Sequence, residues 1–469
     1  MSPFWIKLFQ LILCFAILII LHEGGHFFFA KLFGIRVEKF YMFFDYKFHL
    51  FSTKAKWFAR LFPKIAANET EYGIGWIPLG GYVKISGMID ESMDLEQMKQ
   101  PVQQYEFRAK PVWQRFLVMV GGVLVNFLLA LFIYAMILFA WGSDTLPMRN
   151  ITYGFSYNEM AEAAGFRDGD IPVMADGVPI EEWNATVYRT ISQAKVITVL
   201  RDGAEVNLTM PAEGLNLLDM LDTDPRFLSV NVPARVDSVL PDSPAARVGM
   251  KTGARILEVD GKQVDWWSDF EAVMGRKADI LAAGCSHEDS VRLHSLPIVF
   301  SNEEGTVPDT AVIQLDENYM LGITKQHYQQ LYKDDYLHRD YSFLASIPAG
   351  ISYGWETLKG YVSDLRYIFS KKGAQSVGSF GTIGSLFPSV WDWASFWNIT
   401  AFISLMLAFM NILPIPGLDG GHIFFLLVEA VTRRPPSEKF MERAQYVGMA
   451  IILALMALAI FNDVVKFIF

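Results

Sequence analysis

The sequence predicts a multi-domain integral membrane protein: a core of four transmembrane α-helices and two small α+β domains outside the membrane. Three observations carry this. Long apolar stretches run over 4–33, 112–141 and 449–469, and a fourth over 396–428 is interrupted by "NILPIPGLDGG"; a helix of about 20 apolar residues crosses a bilayer core. Lysine and arginine crowd one side of these stretches. A segment of the polar middle also occurs twice. The bulk agrees: 52% of the residues are hydrophobic and the mean hydropathy is +0.25, above the usual range for a soluble chain.

The first helix, 1–33, carries only Lys7 near its start. Its apolar core is too long for a secretion signal and no small-residue cleavage site follows, so it is expected to be retained. The loop after it, 34–111, holds Arg36, Lys39, Lys47, Lys54, Lys56, Arg60, Lys64 and Lys110, and the loop before the last helix holds Arg433, Arg434, Lys439 and Arg443. Positive loops stay in the cytoplasm. The termini and the long middle segment then face the other side. Residues 142–341 contain 17 Lys and Arg against 32 Asp and Glu, a charge of −15, which leaves +5 for the rest of a chain whose total is −10. No basic patch points to nucleic acid, and Cys14 and Cys285 suggest no disulfide framework.

The second transmembrane helix is expected over 112–141. Beyond it, "AEAAGFRDGDIPVMADGVPIEEW" (161–183) aligns with "PAARVGMKTGARILEVDGKQVDWW" (244–267): Gly165 with Gly249, Gly169 with Gly253, Asp176–Gly177 with Asp260–Gly261, Trp183 with Trp267. Each copy reads as a short helix, a glycine turn, a strand, an Asp-Gly hairpin turn and a second strand. The pattern resembles PDZ domains of bacterial envelope proteases, which implies two modules over about 150–220 and 225–328; a pair of generic small β-domains is the plainer alternative. Between 343 and 369, Leu344, Ile347, Ile351, Trp355, Leu358, Val362 and Leu365 recur at helical spacing. That predicts an amphipathic helix, lying on the membrane surface or packing against a domain. The Gly/Ser-rich "KKGAQSVGSFGTIGS" (371–385) reads as a flexible loop, completing a segment that ends at 392. The third transmembrane helix is expected over 394–430 and the fourth over 446–469.

The chemistry sits in "IILHEGGHFFFA" (19–30). Ionisable groups at membrane depth cost a few kcal/mol each and usually act in a polar interior. On a helix His22 and His26 share a face, and Glu23 stands beside them. H-E-x-x-H is a zinc-protease signature whose histidines bind the metal while the glutamate serves as general base. Zinc needs a third ligand and an open position. Asp419, just after the Pro414–Pro416–Gly417 break, is the candidate, with a simple Asp turn at a helix end as its rival reading. His422 is the weaker alternative ligand, or a support for the others. Asn411, one turn before the break, can hydrogen-bond a substrate backbone or merely pack helices. The alternating, Gly-rich "YGIGWIPLGGYVKI" suggests a sheet edge near 72–88 that accepts an unwound substrate as an added strand.

These features together resemble the site-2 protease family, in its bacterial RseP type, over essentially the whole chain. The resemblance implies an intramembrane zinc endopeptidase with His22, His26 and Asp419 as metal ligands and Glu23 as catalytic base. "IPLGGYVKISGM" (77–88) resembles the family's membrane-associated β-loop, which makes Gly80, Gly81, Tyr82 and Val83 candidate substrate-binding residues. "GGVLVNFLLALF" (121–132) resembles its G-x-x-x-N motif at Gly122 and Asn126, and Asn126 joins those candidates. Where the family often has a Gly-Phe-Gly turn, this chain has "YMFFDYKF" (41–48). Implied partners are the lipid bilayer and single-span membrane proteins: an anti-sigma factor already cut once outside, and remnant signal peptides. The implied location is the bacterial inner membrane, with the PDZ pair periplasmic as a substrate-size filter and the active site toward the cytoplasm. A transporter or channel, or a catalytically inactive membrane scaffold, are the competing classes. A transporter predicts polar residues spread through several helices, and a scaffold has no use for Glu23.

Overall fold

The computed structural model describes residues 2–78, 80–88, 100–212, 214–223, 225–282, 284, 292–303, 307–316 and 319–468; Cys285 and part of the loop before residue 111 lie outside them. It divides into two compact units, Met1–Gly142 with Asp340–Phe469, and Ser143–Arg339.

Among the described residues of the first unit four helices are long and apolar enough to cross a membrane: Pro3–Leu32, Val112–Trp141, Trp393–Ile412 and Lys439–Phe467. The second is the hub, packing against the first, the third and the helix Phe343–Asp364. Contact with the first is made at glycine: a Cβ on Gly25 would lie 2.3 Å from the Gly121 carbonyl oxygen, and one on Gly121 2.6 Å from that of Gly25. The third helix stops at Ile412 and a new one starts at Asp419. Pro414 and Pro416 cannot supply the amides that would continue it, and Gly417 takes φ +97°.

A four-stranded sheet follows the first helix. Its strands are β1 (Val37–Met42), β2 (Phe51–Ser52), β3 (Glu71–Ile74) and β4 (Tyr82–Ile85), in the order β2-β3-β1-β4. β4 is therefore an edge strand. The sheet starts much earlier than the expected 72–88, because β1 supplies its centre. Tyr41 and Ser52 both donate hydroxyl hydrogen bonds to Glu71 Oε1, at 2.7 and 2.5 Å, joining β1, β2 and β3. Burial opposes ionisation of Glu71, but those hydroxyls and the Lys39 charge outweigh it and hold the carboxyl below its ordinary pKa. The turn at 41–48 forms without glycine: Phe43 (φ 71°) and Lys47 (φ 67°) take left-handed conformations themselves. Glycine is needed opposite instead, where a Cβ on Gly75 would meet the Phe44 carbonyl oxygen at 2.1 Å.

The second unit repeats one topology. In the first copy β6 (Phe155–Tyr157) pairs with β12 (Leu228–Val230), beside a sheet ordered β11-β10-β7-β8. In the second, β13 (Val236–Val239) pairs with β18 (Ile323–Lys325), beside a sheet ordered β17-β16-β14-β15. The sheet strands are Ile171–Ala175, Val178–Pro179, Val196–Arg201 and Ala204–Thr209 (β7, β8, β10, β11), then Arg255–Val259, Lys262–Gln263, Ser295–Ser301 and Asp309–Gln314 (β14 to β17). A third sheet, ordered β19-β5-β9, joins Leu337–Arg339, Ser143–Pro147 and Glu182–Trp183. The two Asp-Gly turns have both residues at positive φ, 48° and 80° in one copy and 52° and 77° in the other, the type I′ geometry that hairpin twist favours. One boundary is corrected. Residues 228–230 were expected in the second copy, yet they close the first by pairing with β6.

Two further expectations are corrected. The helix Phe343–Asp364 buries Ser346, Gly350, Gly354 and Gly360, not the apolar stripe. A Cβ on Gly350 would meet the Ala135 backbone nitrogen at 2.4 Å, and one on Gly354 the Leu131 side chain at 2.6 Å. Small residues every fourth position let it approach the second long helix closely, while Leu344 and Trp355 are left exposed. The Gly/Ser segment is not a loop but two short helices, Lys371–Ser376 and Phe380–Leu386. Asp463 of the last helix accepts from Ser379 N, Gly381 N, Thr382 N and both hydroxyls, and Asn462 donates to the carbonyls of Ala374 and Val377.

Stranding buried donors costs about 1–3 kcal/mol. Asp463→Ala should therefore free the segment and speed tryptic cleavage at Lys371 and Lys372; unchanged cleavage would contradict this tie.

Candidate metal centre

Three groups from two helical segments meet at one point in the first unit. His22 and His26 stand one turn apart on the first long helix, with ring centroids 4.9 Å apart. Asp419 opens the helix that restarts after the proline break. Asp419 Oδ2 lies 3.2 Å from His22 Nε2 and 3.4 Å from His26 Nε2, and the two nitrogens are 3.3 Å apart.

The donor set fits zinc. Tetrahedral bonds of about 2.05 Å place neighbouring ligands roughly 3.3 Å apart, which matches all three edges of the triangle. Asp419 Oδ2 is buried and accepts no hydrogen bond of good geometry, although two imidazole nitrogens are that close. The lone pairs face a shared centre, not each other. Among the described residues no other group of three metal-binding side chains gathers. His422 lines the same cavity but is not among the three.

Partners behind the rings set which nitrogen is free. His26 Nδ1 lies 2.8 Å from the Val118 carbonyl oxygen; a carbonyl only accepts, so Nδ1 carries the proton and Nε2 keeps its lone pair. Asn126 reaches His22 Nδ1 at 3.3 Å, and Asn126 Oδ1 has no donor. Turning that amide lets Oδ1 accept the His22 Nδ1 proton, an assignment fixed by the network. Asn126, a substrate-binding candidate from the sequence, is 1% exposed and lies against the His22 ring, a place from which it can orient that imidazole. Gly122 leaves room for both imidazoles, since its Cβ would sit 2.4 Å from His26 Nε2 and 2.7 Å from His22 Cε1.

The centre opens on a cavity of about 680 Å³. Glu23 lines it. Gly81, Tyr82 and Val83 of the β4 edge form one wall, with Asn411 also lining the cavity. Gly80 is not in the wall; its missing side chain makes room for the Phe44 ring. Sequence reasoning missed Gln445, which lines the cavity from the last helix and is 5% exposed. The one available signal was an amide just ahead of an apolar run, "RAQYVGMAII".

Comparison with known proteins gives a consistent result. The model of Peptidase family M50 matches residues 10–455. The "Regulator of sigma-E protease RseP" of Escherichia coli K12 is 26% identical, covering 99% of each chain. A Vibrio cholerae protein named "Putative zinc metalloprotease" is 27% identical over 96% of this chain and 97% of its own. The "Regulator of sigma E protease" of Haemophilus influenzae is 26% identical over 99% of this chain and all of its own.

Gly122→Ala should displace both rings and cut zinc content of the purified protein by well over half, with the helices intact by circular dichroism. Full zinc occupancy in that variant would contradict the packing described.

Proposed function

The chain belongs to peptidase family M50, and from that premise we propose that it is an intramembrane zinc endopeptidase of the site-2 protease type that cuts the membrane-spanning segments of single-span proteins. The observation carrying this reading is the convergence of His22, His26 and Asp419 beside Glu23 in one cavity.

Zinc held by those three residues would polarise the scissile carbonyl and lower the pKa of an adjacent water. Glu23 would take the proton from that water and deliver it to the departing nitrogen; it lines the same cavity as the three, which supports the role. A membrane helix hides its own carbonyls, so the scissile stretch must be unwound before reaction. The free edge of β4 would pair with it as an added strand. Asn411 and Gln445, which line the same cavity, would hydrogen-bond the substrate backbone.

The substrates we infer are an anti-sigma factor left after an outer cut, and remnant signal peptides. The names of the relatives, regulators of sigma-E, support the first. The repeated unit, Ser143–Arg339, would serve as tandem PDZ modules that exclude substrates with intact outer domains. The Lys and Arg distribution supports an inner-membrane setting with that unit periplasmic and the metal centre toward the cytoplasm.

Glu23→Gln should retain zinc and lose at least about 100-fold in cleavage of a single-span reporter in membranes; cleavage near the wild-type rate would overturn the mechanism. Asn411→Leu and Gln445→Leu should each raise KM up to about ten-fold through one lost hydrogen bond, with zinc content unchanged. Unaltered kinetics in both would remove the amides from the substrate site.

A further inference from the structure

We propose that the cation-rich segment between Asp45 and Glu69 is a docking surface for anionic phospholipid headgroups of the bilayer that the long helices cross. The segment holds Lys47, Lys54, Lys56, Arg60 and Lys64 and no carboxylate. Its two short helices, Lys56–Leu61 and Pro63–Ala66, have no buried residue. Trp57, Leu61, Phe62 and Ile65 are 59%, 65%, 50% and 48% exposed, an apolar surface that calls for a partner.

The two kinds of residue are sorted. Lys56, Arg60 and Lys64 recur every fourth position, and Trp57, Leu61 and Ile65 each follow by one. A cationic row beside an apolar row suits a segment lying in the headgroup plane, with the basic stems along the apolar face and their charges outward. Among the described residues Lys56, Arg60 and Lys64 have no ion-pair partner. Lys54, by contrast, is committed to structure: its Nζ donates to the carbonyls of Ala66 and Asn68 at 2.7 and 2.6 Å, tying the end of the segment back to its start. Phe51 of β2 holds the first short helix, its ring 6.0 Å from that of Trp57 and 5.2 Å from that of Phe58. The surface is built, not loose.

Position favours lipid over an acidic protein. β2 is bonded to β3, whose Tyr72 ring lies 6.0 Å from that of Phe27 on the first long helix. Gly81, ahead of β4, abuts Ile19 of the same helix. Phe27 and Ile19 are eight residues apart, about 12 Å along the axis, so the sheet stands beside the inner turns of a membrane-length helix. The segment hangs from β2, two strands or roughly 10 Å from β1.

The test uses the full chain in vesicles of phosphatidylcholine brominated near the top of the acyl chain, with or without phosphatidylglycerol. Tryptophan quenching is read for the wild type, for Trp57→Phe, and for the combined Lys56→Glu, Arg60→Glu and Lys64→Glu variant; wild type minus Trp57→Phe isolates Trp57. The Trp57 signal should be quenched, more deeply with phosphatidylglycerol, and the combined variant should lose that increment. Each cation near an anionic surface is worth roughly a five-fold change in partition. An unquenched Trp57, or quenching indifferent to phosphatidylglycerol, would overturn the proposal. So would cross-linking of Trp57-region side chains to a second copy, or an acidic peptide restoring protection in vesicles without anionic lipid. If the combined variant fails to give a monodisperse protein, the phosphatidylglycerol dependence of Trp57 in the wild type decides alone.

Discussion

Ionisable side chains set into an apolar helix must spend their charge on one another, and the first unit is arranged around that constraint. His22, Glu23 and His26 sit within five residues of a membrane-length helix. Left apart, each would carry a desolvation cost of a few kcal/mol. Brought together with Asp419 around one centre, the imidazoles and carboxylate form a group that could hold a metal ion. Their outer faces are satisfied by the Val118 carbonyl and the Asn126 amide.

The backbone pays in irregularity. Asp419 can enter at the right depth because two prolines end the third helix before it. Gly25 and Gly121 allow the first and second helices to touch along their backbones, and Gly122 clears space for the rings. The last helix is only lightly buried. It meets the rest at Gly448, packed on the Pro416 backbone, and at Asp463, which caps the helix before the third span.

Much of this was legible in the sequence because it is local. The i, i+4 histidines, the proline break, the Asp-Gly turns and the membrane-length helices are each written within a few residues. What stayed hidden depends on partners far along the chain. The Gly/Ser stretch read as flexible because its cap, Asp463, lies some eighty residues away. The packing face of the helix Phe343–Asp364 was missed because periodicity reports apolar residues, whereas its buried stripe is glycine and serine. Residues 228–230 went to the wrong copy since a short strand does not announce its partner. Phe43 and Lys47 adopt conformations that sequence pattern assigns to glycine. Asn126 was found by motif, but its contact with His22 is visible only in the fold.

X-ray absorption at the zinc edge on the purified full-length protein probes the central claim most directly. Two imidazole nitrogens and carboxylate or water oxygens at about 2.0–2.2 Å, with one imidazole lost in His26→Ala, are the expected result. Protein isolated without chelators that carries no stoichiometric metal, or a sulfur-ligated spectrum, would contradict the account.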